Sequence, residues 1–483
     1  MHALTAVHLW TLGAVAAAAL QPITRLRRSG PYMQIGDLEG GLNPERNAAL
    51  EALKRSYLLS SADTAGDSAD ADTAAQLGLL LDVPVCRWSF NILPHHRTVL
   101  NVHQAQYTLA FEKLLATPQP WLYAHVMLPG GLENLADPAY ALEPGSSAPL
   151  HGTIMQVVAV QREQDARLTL LVQGLSRAIV LRATQSLPYA RADMQLLPDD
   201  EQLLASARRV ARFLHRDAAA AATPPPSRVL RRRLLLAAAA AEESQWRAYE
   251  NANLTLSQHL SLSQPDGQLA EGSKLGEAAV IDDALRQQAD GSCDAAEEAS
   301  DALYKSCAPV IQALERAIDA AVEEDGEADA RELAAATASL EVQCWLELDR
   351  LLTTLATLRG PASKAPVPSQ LLGLLPPPPT GGWPEGFALK GVHDQLMERY
   401  RGAAAEGEVA AAASVWSFVP IDHEFYPARR RAQRLSYAIW AVIGGQGVEL
   451  QPLVEAESAN ERLRMALRRI RNVMEELSTG SDA

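Results

Sequence analysis

Residues 167–173 (RLTLLVQ) place Leu168, Leu170 and Val172 on every second position, the spacing of a strand with one buried face. Similar mixtures of β-branched, aromatic and polar residues mark VPVCRWSF at 83–90, WLYAHVML at 121–128, TIMQVVAVQ at 153–161, SRAIVLRAT at 176–184 and YARADMQLL at 189–197. The period changes at 104–116 (QAQYTLAFEKLLA), where Tyr107, Phe111 and Leu114 fall at helical spacing. Pro129-Gly130-Gly131, the polar turn Arg162–Ala166, Gly174 and Pro188 punctuate the strands. Successive strands this close together predict tight turns, and hence a small antiparallel, twisted or barrel-like sheet.

From residue 199 onward the pattern is almost wholly helical, and its Ala-rich composition suits the best helix former. Pro309 opens a segment with Val310, Ile311, Leu314, Ala317 and Ile318 on one stripe. Asp329 with Glu332 has the form of a capping box, and Leu333, Leu340, Leu348, Leu352 and Leu355 follow. That stripe reads first as intramolecular packing, with an oligomer seam or coiled-coil arm as the alternative. Ser458 with Glu461 repeats the box ahead of Leu463, Leu467, Ile470, Met474 and Leu477. Pro224–Pro226 and the Pro-rich loop 361–386, with Pro376–Pro379 at its centre, interrupt the helices. No repeat of fixed period is present. The expected class is α+β: a β-rich unit, then helices.

The N-terminus adds a segment of another kind. Residues 9–20 (LWTLGAVAAAAL) form an apolar run too short to span a bilayer. Arg25, Arg27 and Arg28 follow it, and the first acidic residue is Asp37. A short apolar core ahead of a basic, acid-poor stretch predicts a targeting leader over 1–45, although the basic residues expected before the core are missing. Residues 46–58 read as a short helix, and the small acidic residues 60–76 as a flexible linker, so 46–82 connect the leader to the β unit.

Charge and chemistry narrow the function classes. The net charge is −15, which argues against a non-specific nucleic-acid binder, since that needs a basic face to release counterions. The clusters Arg231–Arg233 and Arg429–Arg431 read as solvated helix faces or complements to a helix dipole. Cys86, Cys293, Cys307 and Cys344 form no CxxC pair, so neither a structural zinc site nor a disulfide framework is indicated. Gly267-QLAE-Gly272-Ser273-Lys274 misses a P-loop because its last two residues are reversed. Gly444-Gly445-Gln446-Gly447 lacks the strand–turn–helix setting of a dinucleotide site and reads as a helix stop. There is no HExxH and no Gly-x-Ser-x-Gly. His95, His96 and His103 lie near Cys86 without a metal-ligand spacing, and the run 322–332 reads as a solvated connector. Asn253-Leu254-Thr255 matches a glycosylation acceptor, which counts only in a secreted chain. The sequence therefore assigns no catalytic, cofactor-binding or metal-binding residue and no cofactor.

Four landmarks in the β unit resemble the Lon N-terminal, or substrate-binding, domain. Val83-Pro84-Val85 stands where that family has a strand with a leading Pro. Leu100-Asn101-Val102-His103-Gln104-Ala105-Gln106-Tyr107 stands where the family opens its helix, with Gln104 replacing the usual Glu. The third landmark is Gly152-Thr153 followed across a hairpin by Leu170-Leu171-Val172-Gln173-Gly174-Leu175-Ser176-Arg177, and the fourth is Pro188-Tyr189-Ala190-Arg191-Ala192, which matches the family's Pro-Tyr-x-x-Ala strand. Gln433–Ala438, Gln451–Ala456 and Glu461-Arg462-Leu463 resemble its helical subdomain. The resemblance implies a PUA-like β subdomain over 83–200 completed by helices over 415–478, split by a long helical insertion over 201–414. It implies a non-catalytic adaptor that recognises client proteins, with a role in proteolysis or protein quality control. The ATPase and Ser-Lys peptidase of full Lon proteases have no counterpart here, nor does the zinc domain of cereblon. A stand-alone, plant or algal type, directed to plastids by the leader, is what this combination resembles; a cytoplasmic location is the alternative. A scaffold subunit of a larger complex, or an enzyme whose site is built from scattered residues, remain the other function classes. Protein partners are expected, with no nucleic acid and no integral membrane span; an ATPase acting in trans and the oligomeric state are left open.

Overall fold

The structure is a computed structural model that describes residues 78–163, 167–218, 234–243, 246, 312, 314, 316–319, 321, 327–359, 367–405, 421, 423, 426–445 and 448–480. The leader, the short helix and linker at 46–76, Asp165, Pro224–Pro226, Arg231–Arg233, Asn253–Thr255, the near P-loop, Cys293, Cys307 and Pro309–Ile311 lie outside the described residues.

Six strands make one sheet: β1 (Leu79–Trp88), β2 (Arg97–Val102), β3 (Leu122–Met127), β4 (His151–Arg162), β5 (Leu168–Gln185) and β6 (Ala190–Leu196). Their order is β2-β5-β4-β3-β1-β6, and β5 also pairs with β6, so five strands close into a ring with β2 as an added flank. The expectation of a wholly antiparallel sheet fails at one pair. β1 runs parallel to β3, with Val85 opposite Ala124 and Trp88 opposite Met127. Residues 89–121 carry β2 and helix α1 (Ala105–Leu115) between the two strands, a crossover long enough for parallel pairing. The other pairings are antiparallel.

Gly174 does not end a strand. β5 continues through it for 18 residues, and what the glycine marks is a bulge: Met155 faces Gly174, Ile154 faces Ser176, and Leu175 is left over. The chain crowds this point. A Cβ on Gly174 would sit 2.4 Å from the Leu93 carbonyl oxygen. The Gly174 amide donates to His96 O at 2.8 Å, and its carbonyl accepts from His95 N at 2.9 Å. Beyond the bulge β5 leaves β2 and takes up β6 as a partner.

Alternation along the strands fills two cores. Val83, Val85, Ala124, Val126, Ile154, Ala178, Val180, Ala192 and Met194 fill the ring. Tyr107 and Phe111 of α1 pack with Tyr123, Met155, Val157, Leu100, Leu168, Leu170 and Val172 on the flank. Tyr123 and Ala124 are consecutive on β3 and serve opposite cores, as a period of two requires.

The principal helices are α2 (Asp200–Ala218), α3 (Glu327–Arg359), α4 (Ala388–Ala405), α5 (Ala428–Ala438) and α6 (Ala459–Gly480). Leu348 and Leu352 of α3 are buried with Leu435, Leu463, Leu467 and Ile470 in one core, with Leu340 and Leu355 packed against it. From Leu340 to Leu355 the leucine stripe is thus spent inside the chain. Trp345, on the same helix, is fully buried. Asp329 lies inside α3 rather than at its start. Ser458 does cap α6: its Oγ accepts from Glu461 N at 3.1 Å. A second cap comes from a distant element, because the buried Glu201 carboxylate of α2 accepts from Ala459 N at 3.1 Å and Asn460 N at 3.0 Å. Gly444 closes the short helix Trp440–Ile443, as its stop reading predicts.

Arg429–Arg431 is not a solvated face. Arg430 is buried against Glu243 at 2.6 Å and Arg431 against Glu341 at 2.7 Å, while Arg429 pairs with Glu242. The three stand in the first turn of α5, the end at which a helix dipole disfavours cations. Carboxylates from α3 and from the helical residues 234–243 supply the compensation, and no local sequence pattern signals partners that far away.

Candidate protein-binding surface

The flank made by β2, the first half of β5 and the second half of β4 exposes apolar side chains. Val99, Leu171 and Ala159 share one row across the three strands, since Val99 faces Leu171 and Leu171 faces Ala159. The opposite face of the same strands carries Leu100, Leu170 and Val172 into the α1 core, so the row with Val99 points outward. Val99 is 46% exposed and Val158 40%. Val158 is the unpaired residue of a second bulge, between Val157 opposite Val172 and Ala159 opposite Leu171. Asn101, Gln161 and Thr169 form the row on one side, and Arg97, Gln173 and Gln156 the row on the other, so polar residues rim the apolar one.

Two strand edges border this face. β2 is the last strand in the order, with no strand beyond it among the described residues. The ladder between β4 and β3 stops at Gln156, while β4 runs on to Arg162. Here the outer side of β4 turns toward α1, and Arg162 reaches Glu112 at 3.5 Å. An unpaired edge carries free backbone donors and acceptors, the groups that an added strand uses. At the end of the parallel pair lies a smaller apolar feature: Phe90, 46% exposed, stacks on Trp88 at 5.9 Å between ring centroids.

The histidines do not converge on a site. His96 is half-buried and its Nε2 donates to Tyr437 O at 3.1 Å. His95 stands beside the Tyr437 ring at 6.0 Å. His103 is exposed at the surface, with Nδ1 3.3 Å from Asn101 O. Cys86 is buried and its thiol is pushed well up by that burial. Among the described residues no group of three or more His, Cys, Asp or Glu is placed to hold a metal, and no helix is long and apolar enough to cross a membrane. His151 of β4 is lowered to about 4 by burial and the nearby Arg177 charge, and His125, which carries no sequence signal, is lowered as far. Burial pushes it down to about 4 against the Phe90 carbonyl, which accepts from Nε2 at 2.6 Å. The carbonyl has no proton to give, so Nε2 carries the hydrogen and Nδ1 is left bare.

A buried ionic joint holds the β unit to the helices. Arg177 on β5 meets Asp199 at 3.0 Å, and Arg462 on α6 grips the same carboxylate with both terminal nitrogens. Arg177 also donates to Val454 O at 3.4 Å and Glu457 O at 3.3 Å, and Arg462 stacks over the Tyr437 ring at 4.2 Å. Burial raises the Asp199 carboxyl, but Arg462 and Arg177 outweigh it and hold the group below its ordinary value. The joint thus binds residues nearly 300 positions apart in sequence.

No family model matches the chain, and no curated protein matches it. Among solved structures it is similar to the Lon N-terminal domain protein from Xanthomonas campestris, at 19% identity over 32% of this chain and 90% of that one, with a TM-score of 0.19. It is also similar to the N-terminal domain of the Mycobacterium avium complex Lon protease, at 17% identity over 44% of this chain and 98% of that one, with a TM-score of 0.18.

Proposed function

We propose that this chain is a non-catalytic adaptor that binds extended or partly unfolded segments of client proteins on the β2–β5–β4 flank. The observation that carries the reading is the outward row of Val99, Leu171 and Ala159, with Val158 beside it, bordered by two unpaired strand edges. A peptide adding to an edge gains main-chain hydrogen bonds, and the apolar row offers it alternate side-chain contacts. Neither mode needs a nucleophile or an acid–base pair. The four landmarks shared with the Lon substrate-binding family point the same way, and with them we read the domain as split: 83–200 and 415–478 on either side of an insertion over 201–414. Contacts from Arg177 to Val454 and Glu457 support that pairing of segments. A role in proteolysis or quality control, and delivery to a plastid by residues 1–45, belong to the same proposal.

The test is binding of a labelled, permanently unfolded protein, reduced and carboxymethylated, followed by fluorescence anisotropy. Val99→Lys with Val158→Lys is expected to weaken binding at least tenfold while the circular dichroism spectrum stays unchanged. Unaltered binding by that variant rejects the flank as the surface. A fluorescent fusion of residues 1–45 tests the leader separately: import into isolated chloroplasts is expected, and a fusion that stays outside refutes plastid targeting.

A further inference from the structure

Leu375 is followed by an unbroken run of prolines, Pro376–Pro379, which neither the ionic joint nor the β flank uses. Both ends of the run are pinned. Leu374 and Leu375 sit in the helical core ahead of it. Behind it, Gly382 N donates to Pro379 O at 2.8 Å, closing a turn in which Gly381 takes the positive φ that its third position requires. A second turn has the same form: Phe387 N donates to Pro384 O at 3.1 Å, with Gly386 at positive φ. Trp383 and Phe387 stack at 4.3 Å between ring centroids, and both pack against the helical core. Leu389 N then donates to Asp349 Oδ1 at 2.9 Å, which fixes the start of α4 on α3.

The run itself has one conformation open to it. Each pyrrolidine ring locks its own φ and drives the residue before it out of the helical region. Residues 375–378 each precede a proline, so the run extends as polyproline II, a left-handed helix of about three residues per turn without internal hydrogen bonds. Burial follows that period: Pro376 is buried, Pro377 and Pro378 are exposed, and Pro379 is half-buried. One edge of the helix rests on the protein, and the Pro377-Pro378 edge faces solvent. Proline has no N–H, so this edge cannot pair as a strand and offers only ring surface and carbonyl acceptors.

We infer that the Pro377-Pro378 edge is a docking ridge for a partner protein whose single groove, walled by aromatic side chains, takes one pair of adjacent prolines. The ridge is apolar and stands out from the surface, so its partner is concave. Flat aromatic rings fit proline rings, and an indole N–H or phenol O–H among them donates to the carbonyls. A partner that reads prolines one turn apart would need Pro376 and Pro379 on one free edge, and Pro376 is buried. A reader of adjacent prolines needs only what is exposed. The conformation is fixed before binding, so docking loses little chain entropy and a short contact is enough.

The probes are two isotope-labelled domains, each titrated with the full-length chain and followed by its amide shifts. One is a WW domain of the kind that binds uninterrupted proline runs, and the other is an SH3 domain, which reads prolines one turn apart. The aromatic groove of the WW domain is expected to respond. Pro377→Ala with Pro378→Ala should weaken that binding by roughly tenfold or more, with the circular dichroism spectrum and urea midpoint unchanged, since both side chains are exposed. Val99→Lys with Val158→Lys should bind the domain as the wild type does, which separates the ridge from the client surface. No response of the groove, equal binding by the double-alanine variant, loss of binding in the double-lysine variant, or a response from the SH3 domain alone would each overturn the inference.

Discussion

Asp199→Asn removes one charge from a buried set of three and leaves both arginines in place. In the wild type, Arg462 and Arg177 both rest on that carboxylate, at 0% and 4% side-chain exposure. Breaking a buried pair by deleting one partner costs about 3–5 kcal/mol, because the surviving charge has no solvent to turn to. Asparagine keeps the shape and one acceptor oxygen, which places the expected loss near the lower end, about 3 kcal/mol. With a urea slope of about 3 kcal/mol/M, a typical upper value, the midpoint falls by roughly 1 M. The assay is urea unfolding at pH 7, read by both tryptophan fluorescence and circular dichroism, so that uncoupling of the two halves appears as non-coincident transitions. Asp394→Asn serves as the comparison. Its partner Lys390 is half exposed, and such surface pairs contribute about 0–1 kcal/mol. If Asp199→Asn shifts the midpoint no more than Asp394→Asn, the joint is not what holds the β unit to the helices.

Three further outcomes follow from the same structure. His125 titrates at about 4 folded against an ordinary 6.5, so the unfolded chain takes up the proton first and stability is lost as pH falls from 6.5 toward 4. The wild type should lose about 3 kcal/mol more over that window than His125→Gln, and parallel urea midpoints for the two proteins would refute this. Asp200 has the opposite sign: burial first, then Glu201, Asp199 and Glu457, raise its carboxyl to about 7, so its ionisation destabilises the fold as pH rises through neutrality. Asp200→Asn should therefore gain on the wild type between pH 5 and pH 8 by thermal melting, and an unchanged difference in melting temperature contradicts it. Gly174→Ala forces a Cβ to 2.4 Å from Leu93 O, a backbone atom, and should cost about 1–3 kcal/mol by urea unfolding, where a neutral result would show that β2 and β5 separate easily.

Apart from β2, the strands and α1 were legible because each carries a stretch of one clear period, and the buried faces of β5 and α1 are those that Leu168, Leu170, Val172, Tyr107 and Phe111 announce. β2 was not, since Arg97, Thr98 and Asn101 dilute a strand only six residues long. Gly174 was misread as a stop because sequence cannot distinguish a glycine that ends a strand from one required by a neighbouring backbone. The parallel β1–β3 pair depends on where the chain returns after α1, a tertiary choice that the strand sequences do not encode. The same holds for Arg430, Arg431 and Arg462, whose partners come from other helices or from the β–helix connection. Of the candidate surface, the alternation over 154–172 was visible, but which valines reach solvent was set by a bulge at Val158 and by the position of β2 as the last strand.

Whether the flank binds unfolded protein chains can be read from its backbone amides. Hydrogen exchange of the full-length chain is followed with and without a saturating amount of the reduced, carboxymethylated protein. If the flank binds unfolded chains, new protection concentrates on Arg97–Val102 and residues 158–162, the two edges without a further strand among the described residues. Protection elsewhere with those edges unchanged, or no protection at all, would contradict it.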